Sequence, residues 1–308
     1  METKRVGGQK GIDISVVGLG CNAFGRRLSE EDSRPVIHAA LDAGITFFDT
    51  AEGYGNGKSE EYIGRAIKGR RDQLILATKF GLRTLHVPGK GMGSRENAMA
   101  AIDQSLKRLG TDHIDLYQFH KPDPTTPIAE TLDAMNDMVK AGKVRLIGCS
   151  NFSASQMREA IATAKEMDLD CFVTAQNEWS VLERGIEDDL VPVCADNEIG
   201  ILPYYPLAKG LLTGKYRRGE APPDGSRLAG SGDLSRADFS VIEALETFAT
   251  SRGFNLLTLA VSWLASQPTV ASVISGAARA DQLAQNVAAA GWKMTANDLT
   301  EIDRIVGS

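Results

Sequence analysis

Residues 45–80 read "ITFFDTAEGYGNGKSEEYIGRAIKGRRDQLILATKF", and the order of patterns within them decides the fold. An apolar, aromatic run ends at Asp49, and a glycine-rich turn follows. An amphipathic stretch then leads into a second largely apolar run, "LILATKF", whose one charged residue is Lys79. The order is strand, turn, helix, strand, and near-continuous apolar strands joined through a helix indicate a parallel sheet. The turn itself invites a wrong answer. Gly57, Lys58 and Ser59 spell the GKS that ends a phosphate-binding P-loop. That motif needs a glycine five residues earlier, where backbone N–H groups crowd a phosphate. Position 52 is Glu, whose carboxylate would repel the phosphate, and Ser59 followed by Glu60 and Glu61 reads as an ordinary helix start. Something else must explain why Asp49 and Tyr54 flank this turn.

Outward from this unit the same alternation recurs. "SVVGLG" ends at Gly20, "IDLYQFH" at His120, and "VRLIGCSN" runs through Asn151. "FVTAQNE" passes through Gln176, "IGILPYYP" through Tyr204 and "VASVISGA" through Gly276. With the two quoted runs these make eight candidate strands. Between them, residues 94–110, 153–168 and 237–253 carry a helical period, the first with a serine at its start and a glycine at its stop. Eight such units predict a (β/α)8 TIM barrel of the α/β class, as one domain over residues 1–308. A short β-hairpin over residues 5–15 precedes it. The rival, a Rossmann fold, needs GxGxxG; "GLGCNAFG" places its glycines at 18, 20 and 25, which does not match.

Composition narrows the function. The 308 residues carry a net charge of −6 and a pI near 5.4, without a basic tract, so no nucleic-acid partner is expected. No apolar run approaches the ~20 residues of a membrane helix. The four cysteines, at 21, 149, 171 and 194, form neither CxxC nor a metal-like spacing, which suggests a reducing cytoplasm. No HExxH is present, and no metal site is expected. The Gly/Pro/Arg-rich stretch 215–236 reads as a long loop, and loops of that length inside compact domains tend to be functional or disordered.

In a barrel, the C-terminal strand ends converge on one face, where active sites lie. Asp49, Lys79 and His120 are therefore expected to become neighbours, with Tyr54 on the turn just beyond Asp49. A phenol has an ordinary pKa near ~10, too high for an efficient proton donor at neutral pH. The Lys79 ammonium would lower it, Asp49 would hold the lysine, and His120 would orient a substrate oxygen. Such a set protonates an oxygen that acquires negative charge, as when hydride adds to a carbonyl. Taken singly, each has a plainer reading: a capping aspartate, a surface tyrosine, a satisfied interior histidine. A lysine ending an apolar strand is harder to dismiss, because it must be paired or functional.

The motifs "FFDTAEGYGNGKSEEYIGRAI", "ILATKFG", "LYQFHKPDP", "GCSNF", "AQNEWS", "YYPLAKGLLTGKY" and "ISGAARADQLAQN" closely resemble the aldo-keto reductase superfamily, in order and over nearly the whole chain. The likeness is to the bacterial branch that also resembles potassium-channel β-subunits. It implies a TIM barrel that binds NADP(H), with NAD(H) still open, and reduces a small-molecule carbonyl substrate. The catalytic tetrad would be Asp49, Tyr54, Lys79 and His120, with Tyr54 the general acid. Ser150, Asn151 and Gln176 would hydrogen-bond the nicotinamide carboxamide, and Tyr204 would stack on its ring. Tyr205, Pro206, Leu207, Ala208, Lys209 and Gly210, with Lys215 beyond, would hold the pyrophosphate. Gly276, Arg279, Gln282 and Asn286 would meet the adenine and 2′-phosphate at the start of a helix.

The resemblance also brings departures. Tyr205 stands where the family often has serine. Ala278 and Gln285 replace a common serine and glutamate of the adenosine pocket, leaving Arg279 to favour NADP over NAD. Cys21 and Asn22 replace a common Thr-Trp pair, which makes the pocket floor wider or more polar. Loops 82–94 and 215–236 are expected to wall the pocket. Phe24 and Trp179 are candidate substrate contacts, although core packing is the first reading of both. A redox-sensing subunit is the alternative to an enzyme, and an aldolase-type Schiff base on Lys79 is a third class. The pattern leaves monomer or homo-oligomer open.

Overall fold

The computed structural model describes residues 1–82, 86–224, 226, 228–229 and 232–307. The chain opens with an antiparallel hairpin, β1 (Thr3–Val6) and β2 (Ile12–Ser15), in register from Thr3 opposite Ser15 to Val6 opposite Ile12. Eight parallel strands follow: β3 (Val17–Gly20), β4 (Phe47–Asp49), β5 (Ile75–Phe80), β6 (Ile114–Phe119), β7 (Val144–Ser150), β8 (Thr174–Gln176), β9 (Gly200–Ile201) and β10 (Val273–Gly276). Each pairs with its neighbour in sequence, and β10 pairs with β3. The last seam, between β9 and β10, is closed by single bonds. Ile201 N–H donates to Thr269 O at 2.7 Å and Ala271 N–H to Ile201 O at 2.8 Å. The sheet thus curls into the predicted (β/α)8 barrel.

One helix follows each of β3 to β8: α1 (Glu30–Asp42), α2 (Lys58–Ala66), α3 (Arg95–Leu109), α4 (Ile128–Lys140), α5 (Ala154–Glu166) and α6 (Leu190–Asp196). After β9 come α7 (Phe239–Ser251) and α8 (Leu256–Ser266); after β10 come α9 (Ala280–Ala288) and α10 (Ala296–Val306). The sequence signals for α3 and α5 act locally as expected. Ser94 accepts from Asn97 N–H and Gly110 ends α3 in the left-handed region, while Ser153 and Gln156 form a reciprocal capping box on α5.

The hairpin plugs the N-terminal end of the barrel. Val6, Ile12 and Ile14 pack against the inward side chains Phe47, Ala77, Leu116 and Leu146. Burying each aliphatic side chain is worth roughly 1.5–3 kcal/mol against exposure, so the plug is a substantial part of the interior. Two residues further along the same strands, the period-2 alternation turns Asp49, Lys79 and Gln118 inward, and all three are buried. The interior therefore changes from apolar to polar toward the C-terminal face. Gly148 makes room for this polar layer: a Cβ there would lie 2.3 Å from Thr174 Oγ1 and 3.3 Å from Gln118 Cγ.

Two local expectations change. Ser59 is not the cap of α2. That place falls to Gly57, and the buried Ser59 hydroxyl pairs with Thr50 Oγ1 at 2.8 Å and donates to Cys21 O at 3.0 Å. A serine so occupied cannot serve a phosphate, so the P-loop is excluded structurally as well. The run "IGILPYYP" gives only two strand residues, because Pro203 has no N–H for the ladder and the chain leaves the barrel at Tyr204.

Candidate active site

The turn after β4 continues the ladder irregularly beyond the last strand residue. Thr50 N–H donates to Ala77 O at 2.9 Å and Glu52 N–H to Lys79 O at 3.0 Å. The chain is thereby tied to β5 until Tyr54 begins a short 3-10 turn, Tyr54–Gly57. Gly55 is required there. Its φ is +58°, and a Cβ would lie 2.8 Å from the backbone of Gly25 in the loop after β3.

Lys79 is completely buried, and each of its three N–H donors has a partner. Nζ lies 2.7 Å from Asp49 Oδ2, 2.9 Å from Thr50 O and 3.4 Å from Tyr54 OH. The other carboxylate oxygen, Oδ1, accepts from Gln118 Nε2 at 3.1 Å and Gln176 Nε2 at 3.0 Å. Asp49, itself 2% exposed, thus has an ammonium on one oxygen and two amides on the other. His120 sits one residue past β6, edge-on to Tyr54 with ring centroids 6.0 Å apart. The four side chains that lie far apart in sequence do meet at one mouth.

Burial works against the charge on Lys79, but the Asp49 carboxylate and the Tyr54 oxygen outweigh it and hold the ammonium above the ordinary lysine value. For Tyr54 the balance corrects the sequence-based expectation. Burial pushes the phenol up, the Lys79 charge opposes it, and burial wins, leaving Tyr54 above the ordinary tyrosine value. The phenol is consequently a filled proton store, and Lys79 is placed to stabilise the phenolate only as it forms.

From Tyr54 a groove of about 530 Å³ runs toward the start of α9. Cys21, Asn22, Asp49, Tyr54, Gln176, Tyr204, Tyr205, Pro206, Leu207, Lys209, Gly210 and Lys215 line it, and so do Gly276, Ala278, Arg279, Gln282, Gln285 and Asn286. Three non-glycine residues of the bend after β9 adopt left-handed φ: Tyr205 (55°), Ala208 (45°) and Lys209 (58°). Such conformations cost of order 1–3 kcal/mol each and persist where a site needs the backbone turned. Four expected residues of the set lie beneath the groove surface or beside it. Lys79 and His120 both touch Tyr54, which lines the groove, without lining it themselves. Ser150 is buried and donates to Gln176 O at 2.8 Å, and Asn151 accepts from Tyr204 OH at 2.9 Å. Together they support Gln176 and the Tyr204 ring. Ala208 turns the chain without lining the groove.

The sequence profile of the Aldo/keto reductase family matches residues 16–306. The chain belongs to the aldo/keto reductase family. It is 38% identical to "Aldo-keto reductase YhdN" of Bacillus subtilis (strain 168), over 96% of this chain and 91% of that one. It is 35% identical to a "Probable voltage-gated potassium channel subunit beta" of Oryza sativa subsp. japonica, over 92% of this chain and 89% of that one. It is also 33% identical to the "L-glyceraldehyde 3-phosphate reductase" of Escherichia coli (strain K12), over 96% and 90% respectively.

Within this family frame, several groove residues had escaped sequence reasoning. Arg27, from the loop after β3, and Thr213, Leu257 and Ser275 also line the groove. Gln118 is the most informative omission. It lies two residues past the inward-facing Leu116, so alternation alone points it at Asp49. Phe24 and Trp179 are core residues rather than substrate contacts, at 0% and 1% exposure; Trp179 Nε1 donates to Glu187 at 2.8 Å. Lys215 and Ser226 of loop 215–236 line the groove, whereas no described residue of loop 82–94 does. Residues 83–85, 225, 227, 230 and 231 of these two loops lie outside the described residues.

Arg279, whose side chain is 65% exposed, is engaged at both ends of its fork by Asp281, at 2.9 and 2.8 Å. Gln282 Oε1 accepts from Ala278 N–H at 2.9 Å. At the α9 end of the groove, Arg279 and Gln282 are thus both engaged in bonds within the chain. Among the described residues, no helix is long and apolar enough to cross a membrane.

Proposed function

We propose that this protein reduces an aldehyde or ketone to an alcohol, reversibly, taking hydride from a nicotinamide cofactor, NADP(H) in preference to NAD(H), and the proton from Tyr54. One observation carries the reading: a buried lysine shared between a carboxylate and a phenol that both line a groove with Lys209, Lys215 and Arg279 along it. When bound, the cofactor supplies the hydride; the chain's residues position and proton-transfer. Tyr204, held by Asn151, lines the groove together with Gln176, which suits it to stacking on nicotinamide. His120 and Tyr54 converge on the place for the carbonyl oxygen, and Tyr54 gives its proton as negative charge develops there. Lys79 lowers the cost of the resulting phenolate, and Asp49 keeps Lys79 in line. General acid assistance of this kind contributes about 10²–10⁴-fold.

The same arrangement argues against a Schiff base on Lys79, since an ammonium with all donors occupied and a raised pKa is a poor nucleophile. The redox-sensor alternative gains nothing from a complete set of proton-handling groups. The chain is read as one catalytic unit working in the cytoplasm on a small-molecule carbonyl, as monomer or homo-oligomer. The test is a panel of sugar, aromatic and short-chain carbonyls assayed in parallel with NADPH and NADH by nicotinamide absorbance. Turnover of one class with NADPH favoured is the expected result, and tight NADPH binding without turnover of any would refute the enzyme reading.

A further inference from the structure

We propose that Glu52 and His86 form a positioning pair that holds the Tyr54 turn at its working distance from Lys79; this rests on the reading of Tyr54 as proton donor. Glu52 is 3% exposed, an unusual place for a carboxylate. Its backbone N–H donates to Lys79 O at 3.0 Å, and its Oε1 accepts from Gly81 N–H, also at 3.0 Å. Glu52 thereby clasps β5 on both sides of Phe80. Two residues on, Tyr54 OH stands 3.4 Å from Lys79 Nζ, near the limit of a hydrogen bond, so a small displacement of the turn would break that contact.

The second carboxylate oxygen, Oε2, lies 2.7 Å from His86 Nε2. His86 is anchored in turn. Its N–H donates to Asn97 Oδ1 at 2.9 Å, the same oxygen accepts from Val87 N–H at 2.8 Å, and Asn97 Nδ2 donates to Gly91 O at 2.5 Å. Asn97 belongs to the first turn of α3, where its own N–H is held by Ser94. A continuous path of bonds therefore runs from the start of α3 through His86 and Glu52 to the turn that carries Tyr54. Burial pushes the Glu52 carboxyl up, opposed by His86 and the Gly81 N–H. Packing alone would be better served by an apolar side chain, and a buried ionisable group two residues from a proton donor marks a functional surrounding.

The test compares wild type, His86→Ala, His86→Gln, Glu52→Gln and Tyr54→Phe by steady-state kinetics, with backbone hydrogen exchange on the cofactor-free proteins. His86→Ala should lower kcat roughly ten- to a hundredfold, the scale of a small misplacement, with KM for NADPH unchanged. It should also raise the solvent deuterium isotope effect, since proton transfer becomes slower, and speed exchange of the amides of residues 52–57. His86→Gln, whose amide can still donate to the carboxylate, should restore kcat to within about threefold of wild type on the same scale. Glu52→Gln, which keeps an acceptor for Gly81 but loses the charge, should fall between. A His86→Ala kcat within twofold of wild type with unchanged exchange, or a failure of His86→Gln to rescue, overturns the proposal. If Tyr54→Phe retains turnover, the proton-donor reading is what fails, and the exchange of residues 52–57 then judges the pair by itself.

Discussion

Replacing Lys79 by Met separates what the lysine does for stability from what it does for chemistry. In Lys79→Met, Asp49 stays 2% exposed with two amide donors but loses the ammonium at 2.7 Å, and Thr50 O loses its donor too. Removing one partner of a buried ion pair leaves an uncompensated charge and costs about 3–5 kcal/mol. Adding Asp49→Asn removes that charge, because an amide can sit among Gln118 and Gln176 without it. The double variant should recover about 2 kcal/mol or more of the loss in urea unfolding, on the same reasoning. Turnover should not follow. Neither variant retains an ammonium beside Tyr54, so both should turn over at least about a hundredfold more slowly than wild type. A single variant within about 1 kcal/mol of wild type would mean that the carboxylate is not buried and paired as described. A double variant that regained turnover would remove Lys79 from the proton-transfer scheme.

The other predictions concern separate parts of the molecule. In the cofactor-free protein, the ultraviolet difference between wild type and Tyr54→Phe should place the phenol's ionisation above the ordinary tyrosine value, because burial outweighs Lys79; ionisation near neutrality would contradict this. Arg279→Ala should weaken NADPH binding about tenfold, with NADH little affected, whereas Asp281→Asn should tighten NADPH by freeing the guanidinium fork. Parallel titrations quenching intrinsic fluorescence would decide, and equal effects on both cofactors would take Arg279 away from the 2′-phosphate. Finally, although burial works against it, hydrogen bonds from Gly93, Thr125 and Thr126 hold Asp123 at about 2, below the ordinary 3.8. That difference amounts to about 2 kcal/mol, reduced to about 1 kcal/mol by solvent screening. A depressed carboxylate stabilises the fold above its unfolded pKa and ceases to do so as pH falls through its folded one. Asp123→Asn should therefore cost about 1 kcal/mol at pH 7, with the gap to wild type narrowing between about pH 4 and 2; a widening gap would reverse the argument.

The barrel was legible because its cause is local and repeated: apolar runs of strand length, helices with caps, and polar residues at or just beyond several strand ends. Asp49, Lys79 and His120 can be brought together from the sequence alone, since strand ends in such a barrel share one face. Gln118 was equally open to period-2 reasoning but was hidden inside an apolar run. Other features depend on what no stretch of sequence contains. The direction of the Tyr54 shift is a contest between burial and one ammonium, and burial is a property of the assembled fold. Glu52 and His86 are 34 residues apart and meet only because the loop after β5 folds back on the turn after β4. The left-handed backbone at Tyr205, Ala208 and Lys209 carries no glycine to announce it.

The central claim is that Tyr54 delivers the proton to a carbonyl oxygen beside bound nicotinamide. Single-turnover reduction by Tyr54→Phe, premixed with NADPH at saturation, tests it most directly. The rate should fall about 10²–10⁴-fold, while the NADPH dissociation constant stays within about threefold of wild type, because in the proposed mechanism the lost hydroxyl serves the substrate oxygen in the transition state. A variant that reduces its carbonyl at the wild-type rate with NADPH fully bound would contradict the account.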